Sequence, residues 1–328
     1  MLHNKKRAIA LTATVLLAVA GCSSQGGAQE EGGGGGGNGG GNGESFTIVM
    51  ITHEAPGAAF WDRVRSGAEQ AAENLGVNLQ ISNDIEAPGQ ATLVQNAIDT
   101  QPDGIAVTLA FPEAVGPAAA SAAEAGIPVV ALNAGMDTYQ QYGVSMFFGS
   151  NERLAGETAG ETIAQDGADK AICAVHEQGN VALETRCDGV KDAFPNTENV
   201  QVDGTDRPSA QATIGAKLQQ DPAITHIITL DAGIADAAVQ ARADTGSQAK
   251  VATFDLSPEV VTAIQNGDIA FSVDQQPYLQ GYLAVEALWL NLTNGNEIGG
   301  GQPVLTGPAI VDSSNIDTVA QYAERGTR

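Results

Sequence analysis

Basic residues are scarce in this chain of 328 residues: 15 Lys and Arg stand against 39 Asp and Glu, a formal net charge of -24. Nucleic-acid phosphates are neutralised by Lys and Arg, so this balance excludes a nucleic-acid partner. The acidity keeps the chain soluble and names no ligand. Cysteine is nearly absent, with three in the whole sequence; no further soft ligands sit at a zinc-like spacing around Cys173 and Cys187. The N-terminal apolar run, residues 8–20 (AIALTATVLLAVA), is too short for a lasting membrane span. No Gly-x-Gly-x-x-Gly follows the first strand-like segment, and neither a Gly-x-Ser-x-Gly elbow nor a His-Glu-x-x-His helix occurs. Neither a cofactor nor a metal is therefore expected, and the chain is not expected to be an enzyme.

What is present begins with an export signal. Lys5, Lys6 and Arg7 precede the apolar run, which ends at Val19-Ala20-Gly21-Cys22. That tetrapeptide resembles a bacterial lipobox, so residues 1–21 are expected to be cleaved and Cys22 lipidated, tethering the protein to the outer face of the cell membrane. The alternative is an ordinary signal peptide with an incidental Cys. Cleavage removes three positive charges and leaves a net charge of -27, 39 acidic residues against 12 basic. Residues 22–44 are dominated by Gly and have almost nothing to bury, so a flexible tether is expected there. With Cys22 taken by lipid, Cys173 and Cys187 remain in an oxidising compartment, where a disulfide is expected and two buried thiols are the other possibility.

From Phe46 onward short apolar runs alternate with longer amphipathic ones. Strand patterns fall at 46–52, 77–82, 104–109, 127–133 and 146–150, then at 170–176, 200–204, 226–231, 250–255, 269–275 and 308–312, with helical patterns between them. Strands nearly continuous in Val, Ile, Leu and Ala are covered on both faces, and their alternation with helices indicates parallel α/β sheets. The rhythm repeats after residue 150, which predicts two similar lobes.

Open parallel sheets bind ligands beyond the carboxyl ends of their strands. The residues there include His53, Phe60, Trp61, Thr108, Asn133, His176, Arg186, Asp231, Asp255 and Gln275. Aromatic rings can pack on the apolar faces of a pyranose. The planar polar groups of Asn, Arg, Asp and Gln can each make paired hydrogen bonds to neighbouring hydroxyls. Asp and Arg together roughly balance charge, which fits a neutral ligand. Each residue also has a plainer explanation. Phe60 and Trp61 could belong to the core, Arg186 could be a surface charge, Asp231 and Asp255 could cap helices, and Gln275 could be a loop residue. His53 and His176 read as hydrogen-bonded structural residues.

Several stretches carry a family resemblance: TIVMITHEAPGAAFWDRVRSGAEQAAENLG, DGIAVTL with GIPVVALN, HEQGNVALETRCDGVKDAF, VATFD and FSVDQQPYLQGYLAVEAL. In this order they are similar to the sugar-binding branch of the type I periplasmic binding proteins, the ribose-binding-protein-like group. The resemblance implies two Rossmann-like lobes joined by a three-segment hinge, with crossings near 149–151, 275–277 and 300–304. The lobes would be 45–149 plus 276–302, and 150–275 plus 303–328. It implies that Phe60 and Trp61 stack on a sugar or sugar alcohol, that Asn133, Arg186, Asp231, Asp255 and Gln275 bond its hydroxyls, and that Thr108 is a polar site position. It further implies a monomer that delivers its ligand to an ABC-type permease. Three residues depart from the family pattern: Ala58 stands where relatives often carry Asn or Asp, Ala134 stands where the ribose binders have an Arg after the strand end, and Asn133 replaces their strand-end Asp.

The same fold could instead present a sugar to a membrane kinase or chemoreceptor. A sugar-responsive repressor would need a DNA-binding helix-turn-helix and a basic surface. An extracellular glycosidase would need Asp231 and Asp255 to act as a carboxylate pair.

Overall fold

The computed structural model describes residues 45–55 and 57–328. The expected signal segment, the expected lipidation site Cys22 and the expected Gly-rich tether lie outside the described residues. The chain first lays down β1 (Thr47–Thr52), α1 (Ala59–Leu75), β2 (Asn78–Asn83), α2 (Ala87–Asp99), β3 (Gly104–Val107), α3 (Pro112–Glu124), β4 (Val129–Asn133) and β5 (Met146–Ser150). It continues with α4 (Glu152–Gln165), β6 (Ala171–Val175), α5 (Val181–Ala193), β7 (Thr197–Gln201), α6 (Arg207–Gln220), β8 (His226–Thr229), α7 (Ala232–Thr245), β9 (Lys250–Phe254), α8 (Pro258–Asn266) and β10 (Ile269–Asp274). It closes with α9 (Pro277–Asn294), β11 (Val304–Gly307), β12 (Ala309–Asp312) and α10 (Ile316–Glu324).

Two six-stranded sheets result, ordered β11-β5-β4-β3-β1-β2 and β12-β10-β9-β8-β6-β7. The orders correspond strand for strand, so each lobe repeats the other. All pairings in the first sheet are parallel. The second is parallel except at its edge, where β12 runs antiparallel to β10. The central strands are buried on both faces, as their uninterrupted apolar runs require: β3, β4, β5 and β6 have no exposed residue.

Helix α9 follows the second sheet in sequence but packs on the first lobe, between α1 and the strands, with Ala284, Val285, Ala287 and Leu288 in the first-lobe core. Close approach to α1 depends on two glycines. A Cβ on Gly67 would strike the Tyr278 carbonyl, and one on Gly281 would strike the Val64 carbonyl.

Three expectations require correction. The chain crosses between sheets after β5 and after β10, and the third crossing, which the resemblance implied near 300–304, is not there. Residues 304–307 form β11, which pairs with β5 in the first sheet, so the crossing falls between Gly307 and Ala309. The first lobe therefore keeps residues 303–307, which a boundary at 302 would assign to the second. The strand expected at 200–204 is β7, Thr197–Gln201; its sequence TENVQ is largely exposed at a sheet edge and carries no apolar run. Helix α10 was not anticipated. It covers α8 with Ile316 and Ala323, which join the second-lobe core.

Candidate functional site

Because the two sheets face each other with their carboxyl ends, the turns after β1, β3, β4, β6, β8, β9 and β10 converge. They enclose a cavity of about 990 Å³ between the lobes, within the size range of small-molecule sites. Of the residues expected from the strand ends, Phe60, Trp61, Asn133, Arg186, Asp231, Asp255 and Gln275 line it. Thr108 does not. It is fully buried behind His53: its Oγ1 lies 2.7 Å from His53 Nδ1 and accepts bonds from the His53 backbone N–H (3.2 Å) and Gln90 Nε2 (2.9 Å). Its hydroxyl orients the histidine and lies one shell away from the cavity.

The second-lobe wall is a connected polar network. Arg186, 2% exposed, forms a buried ion pair through Nε with Glu152. Its Nη2 donates to Gln275 Oε1 at 3.0 Å, and its guanidinium lies over the Phe254 ring, 4.8 Å from the centroid. Gln275 Nε2 in turn donates to Asp255 Oδ1 at 2.9 Å. The surface-charge explanation of Arg186 is therefore excluded. Helix α5, which carries Arg186, is joined to β6 by the Cys173–Cys187 disulfide, with Cα atoms 5.8 Å apart. Asp231 faces the cavity and is also a helix cap. Its Oδ1 caps α7 by accepting from the Gly233 and Ile234 N–H groups at 2.7 and 3.2 Å.

Asn133 and Asp255 occupy equivalent places, at the ends of the corresponding strands β4 and β9. Both have φ of 66°, a left-handed conformation that Asn and Asp tolerate better than other non-glycine residues. Asp255 is not a helix cap; Ser257 caps α8. Burial drives the Asp255 carboxyl up to about 8, opposed by the Arg186 charge and the Gln275 hydrogen bond and assisted by Asp231 and Asp274. At neutral pH it is mostly protonated and can donate as well as accept. For Arg186, burial favours loss of the proton but Glu152 outweighs it, so the guanidinium holds its charge above the ordinary value. The cavity wall thus carries a fixed cation already compensated by a carboxylate behind it.

The first-lobe wall is aromatic. Trp61 meets His53 edge to face at 4.9 Å between centroids, and Phe60 meets Trp61 in the same way at 5.0 Å. Both rings also belong to the first-lobe core, so the core explanation and the lining role hold together. Phe111 stands 6.3 Å from His53 and was not anticipated, since it lies four residues past the end of β3. His53 is held below the ordinary imidazole value by burial, which outweighs the pull of Glu177.

The lobes touch across the cavity. The Val181 N–H donates to the Ala110 carbonyl at 3.0 Å, Asn180 Nδ2 lies 3.3 Å from His53 Nε2, and Ala110, Ala134 and Ala182 form an apolar contact. Asn180 also caps α5, accepting from the Ala182 N–H at 3.0 Å. Sequence reasoning missed Asn180, although an Asn just before a helical pattern signals a cap. It missed Glu152 for want of any signal, since Glu in a first helical turn is ordinary.

Three similarities bear on this geometry. A carbohydrate transporter from Acidothermus cellulolyticus 11B, solved in complex with myo-inositol, is 49% identical, with a TM-score of 0.86 over 87% of this chain and all of that one. The xylose/arabinose-binding protein of Sulfolobus acidocaldarius is 26% identical over 296 residues, 83% of this chain and 72% of the relative. The ribose import binding protein of Haemophilus influenzae is 27% identical over 289 residues, 85% of this chain and 91% of the relative. Residues 48–297 match the family described as periplasmic binding protein domain. With two corresponding lobes, a cavity at their facing strand ends and this match over most of the folded chain, the protein is a member of the periplasmic binding protein domain family.

Proposed function

We propose that this protein is an extracytoplasmic receptor that captures a neutral cyclic polyol, a monosaccharide or sugar alcohol, and delivers it to an ABC-type importer. The observation that carries the proposal is the Glu152–Arg186–Gln275–Asp255 network facing Phe60 and Trp61 across one cavity. Planar groups that bond adjacent hydroxyls stand opposite rings that cover C–H faces. Arg186 is compensated by Glu152 and Asp255 is mostly protonated at neutral pH, so the network favours an uncharged ligand. Ala134 supports a ligand other than ribose: where the ribose binders carry an Arg, this residue is 1% exposed, packs with Ala110 and Ala182, and offers no side-chain hydrogen bond to a ligand. The myo-inositol complex of the 49% identical protein makes a cyclitol the first ligand to test. Capture proceeds by hinge closure on the three crossing segments, one ligand per monomer. The lipobox-like segment supports a lipid anchor at Cys22 on the outer face of the membrane.

Thermal melts of the protein with myo-inositol, other sugar alcohols, ribose, xylose, arabinose, glucose, nucleosides and amino acids test the proposal. A ligand at a hundred times its Kd stabilises by about 2.7 kcal/mol. A shift with a cyclitol or monosaccharide is expected. A shift only with nucleosides or amino acids would overturn the polyol assignment.

A further inference from the structure

We infer that Glu152, which does not line the cavity, is a positioning residue for ligand binding: it fixes Arg186 through a buried ion pair and so leaves Asp255 free to bond the ligand. The inference rests on the polyol-binding reading above. Three observations carry it. The first is place. Glu152 opens α4 two residues after β5 ends, directly beyond the first crossing between the lobes. Its partner Arg186 bonds Gln275, which lies in the second crossing. The Gln275 carbonyl accepts from Thr306 Oγ1 of the third-crossing strand at 2.7 Å. A continuous chain of bonds therefore links Glu152 to all three connections and ends at Asp255.

The second is close packing built for this pair. A Cβ on Gly156 of α4 would strike the Arg186 carbonyl, and one on Gly189 of α5 would strike the Arg153 carbonyl. The two helices touch along their backbones, and the disulfide at Cys187 fixes the residue beside Arg186. The third is an unmade bond. Glu152 is 6% exposed, yet its Oε1 has no hydrogen-bond partner among the described residues. A buried ion pair with an unsatisfied oxygen contributes little to stability, and well-packed apolar residues commonly do as well. Its use here is geometric: with Nε held by Glu152 and Nη2 held by Gln275, Arg186 cannot turn to pair with Asp255. The charged and titratable groups around Asp255 are Arg186 on α5, Asp231 at α7, Asp274 on β10 and Arg63 on α1.

The test uses Glu152→Gln, which keeps the shape and removes the charge. Calorimetry with myo-inositol, or with the polyol that gives the largest melting shift on the wild type, is expected to show Kd at least tenfold weaker. In the ligand-free protein, the Asp255 carboxyl followed by carbon NMR is expected to titrate at lower pH in the variant, because Arg186 is released toward it. The titration needs no ligand, so it separates failure of this inference from failure of the polyol reading. A double-mutant cycle with Arg186→Lys should show strongly non-additive effects on Kd. A purely structural Glu152 would lower the melting temperature while Kd and the Asp255 titration stay at wild-type values, and that result overturns the inference. Should Glu152→Gln not fold, Glu152→Asp keeps the charge and shortens the reach, and a Kd equal to wild type would overturn it equally.

Discussion

Asp255→Asn isolates the energetic consequence of burying a carboxyl at the cavity wall. Asp255 is 3% exposed and its carboxyl is pushed up to about 8 by burial, against the pull of Arg186. In the unfolded chain the same group ionises near its ordinary value of about 3.9. Between these values the folded state holds a proton that the unfolded state releases, so stability falls as pH rises from about 4 and stops falling beyond about 8. Each unit is worth about 1.36 kcal/mol, which makes the cost at pH 7 about 4 kcal/mol. Asparagine cannot ionise and can still accept the 2.9 Å bond from Gln275 Nε2. The variant should therefore be more stable than the wild type at pH 7, by a melting shift on the order of 10 °C at roughly 2–4 °C per kcal/mol, with the difference shrinking to about 1 kcal/mol at pH 4.5. The difference between the two proteins is the quantity to read, because burial holds the His53 and His226 imidazoles below their ordinary value, which adds a pH dependence common to both proteins. Melting curves from pH 4.5 to 8.5 provide the assay. Parallel pH profiles would refute the reasoning.

Arg186→Ala leaves Glu152 buried and unpaired; denaturant unfolding should show a loss of about 3–5 kcal/mol, and calorimetry should show no measurable polyol binding. Replacing Cys173 and Cys187 together by Ala opens a loop with a sequence separation of 14 and should cost about 3 kcal/mol, with weakened binding because α5 loses its tie to β6. Ala182→Trp, placed where Ala182 meets Ala110 and Ala134, should hold the lobes apart. Small-angle scattering would then show a larger radius with ligand present and calorimetry a Kd at least tenfold weaker, whereas wild-type values in both would exclude a closed, ligand-bound form built on this contact.

Most of the candidate site was legible because parallel α/β sheets put ligand-facing residues at strand ends, and strand ends in this chain follow uninterrupted apolar runs. Asn133 after VVAL, Asp255 after KVATF and Gln275 after IAFSVD were located by that rule alone. The rule erred by one layer at Thr108, which ends a run like the others but serves His53. It was silent on Glu152, whose value lies in facing Arg186 from another helix. The edge strand β7 and the returning strand β11 were misread for a shared reason: short strands at sheet edges bury too little to impose an apolar pattern.

Local sequence determined the alternation of strands and helices, the repeat that makes two lobes, the acidic surface and the polar and aromatic character of the strand ends. These depend on nearest-neighbour patterning and burial, which the order of residues records directly. Only the tertiary structure decided that α9 returns to the first lobe and that the third crossing follows β11. It also decided that Arg186 is compensated before any ligand arrives and that Asp255 sits where a carboxylate loses its charge. Those outcomes depend on distances between segments far apart in the chain, and on desolvation that exists only once both lobes are assembled around the cavity.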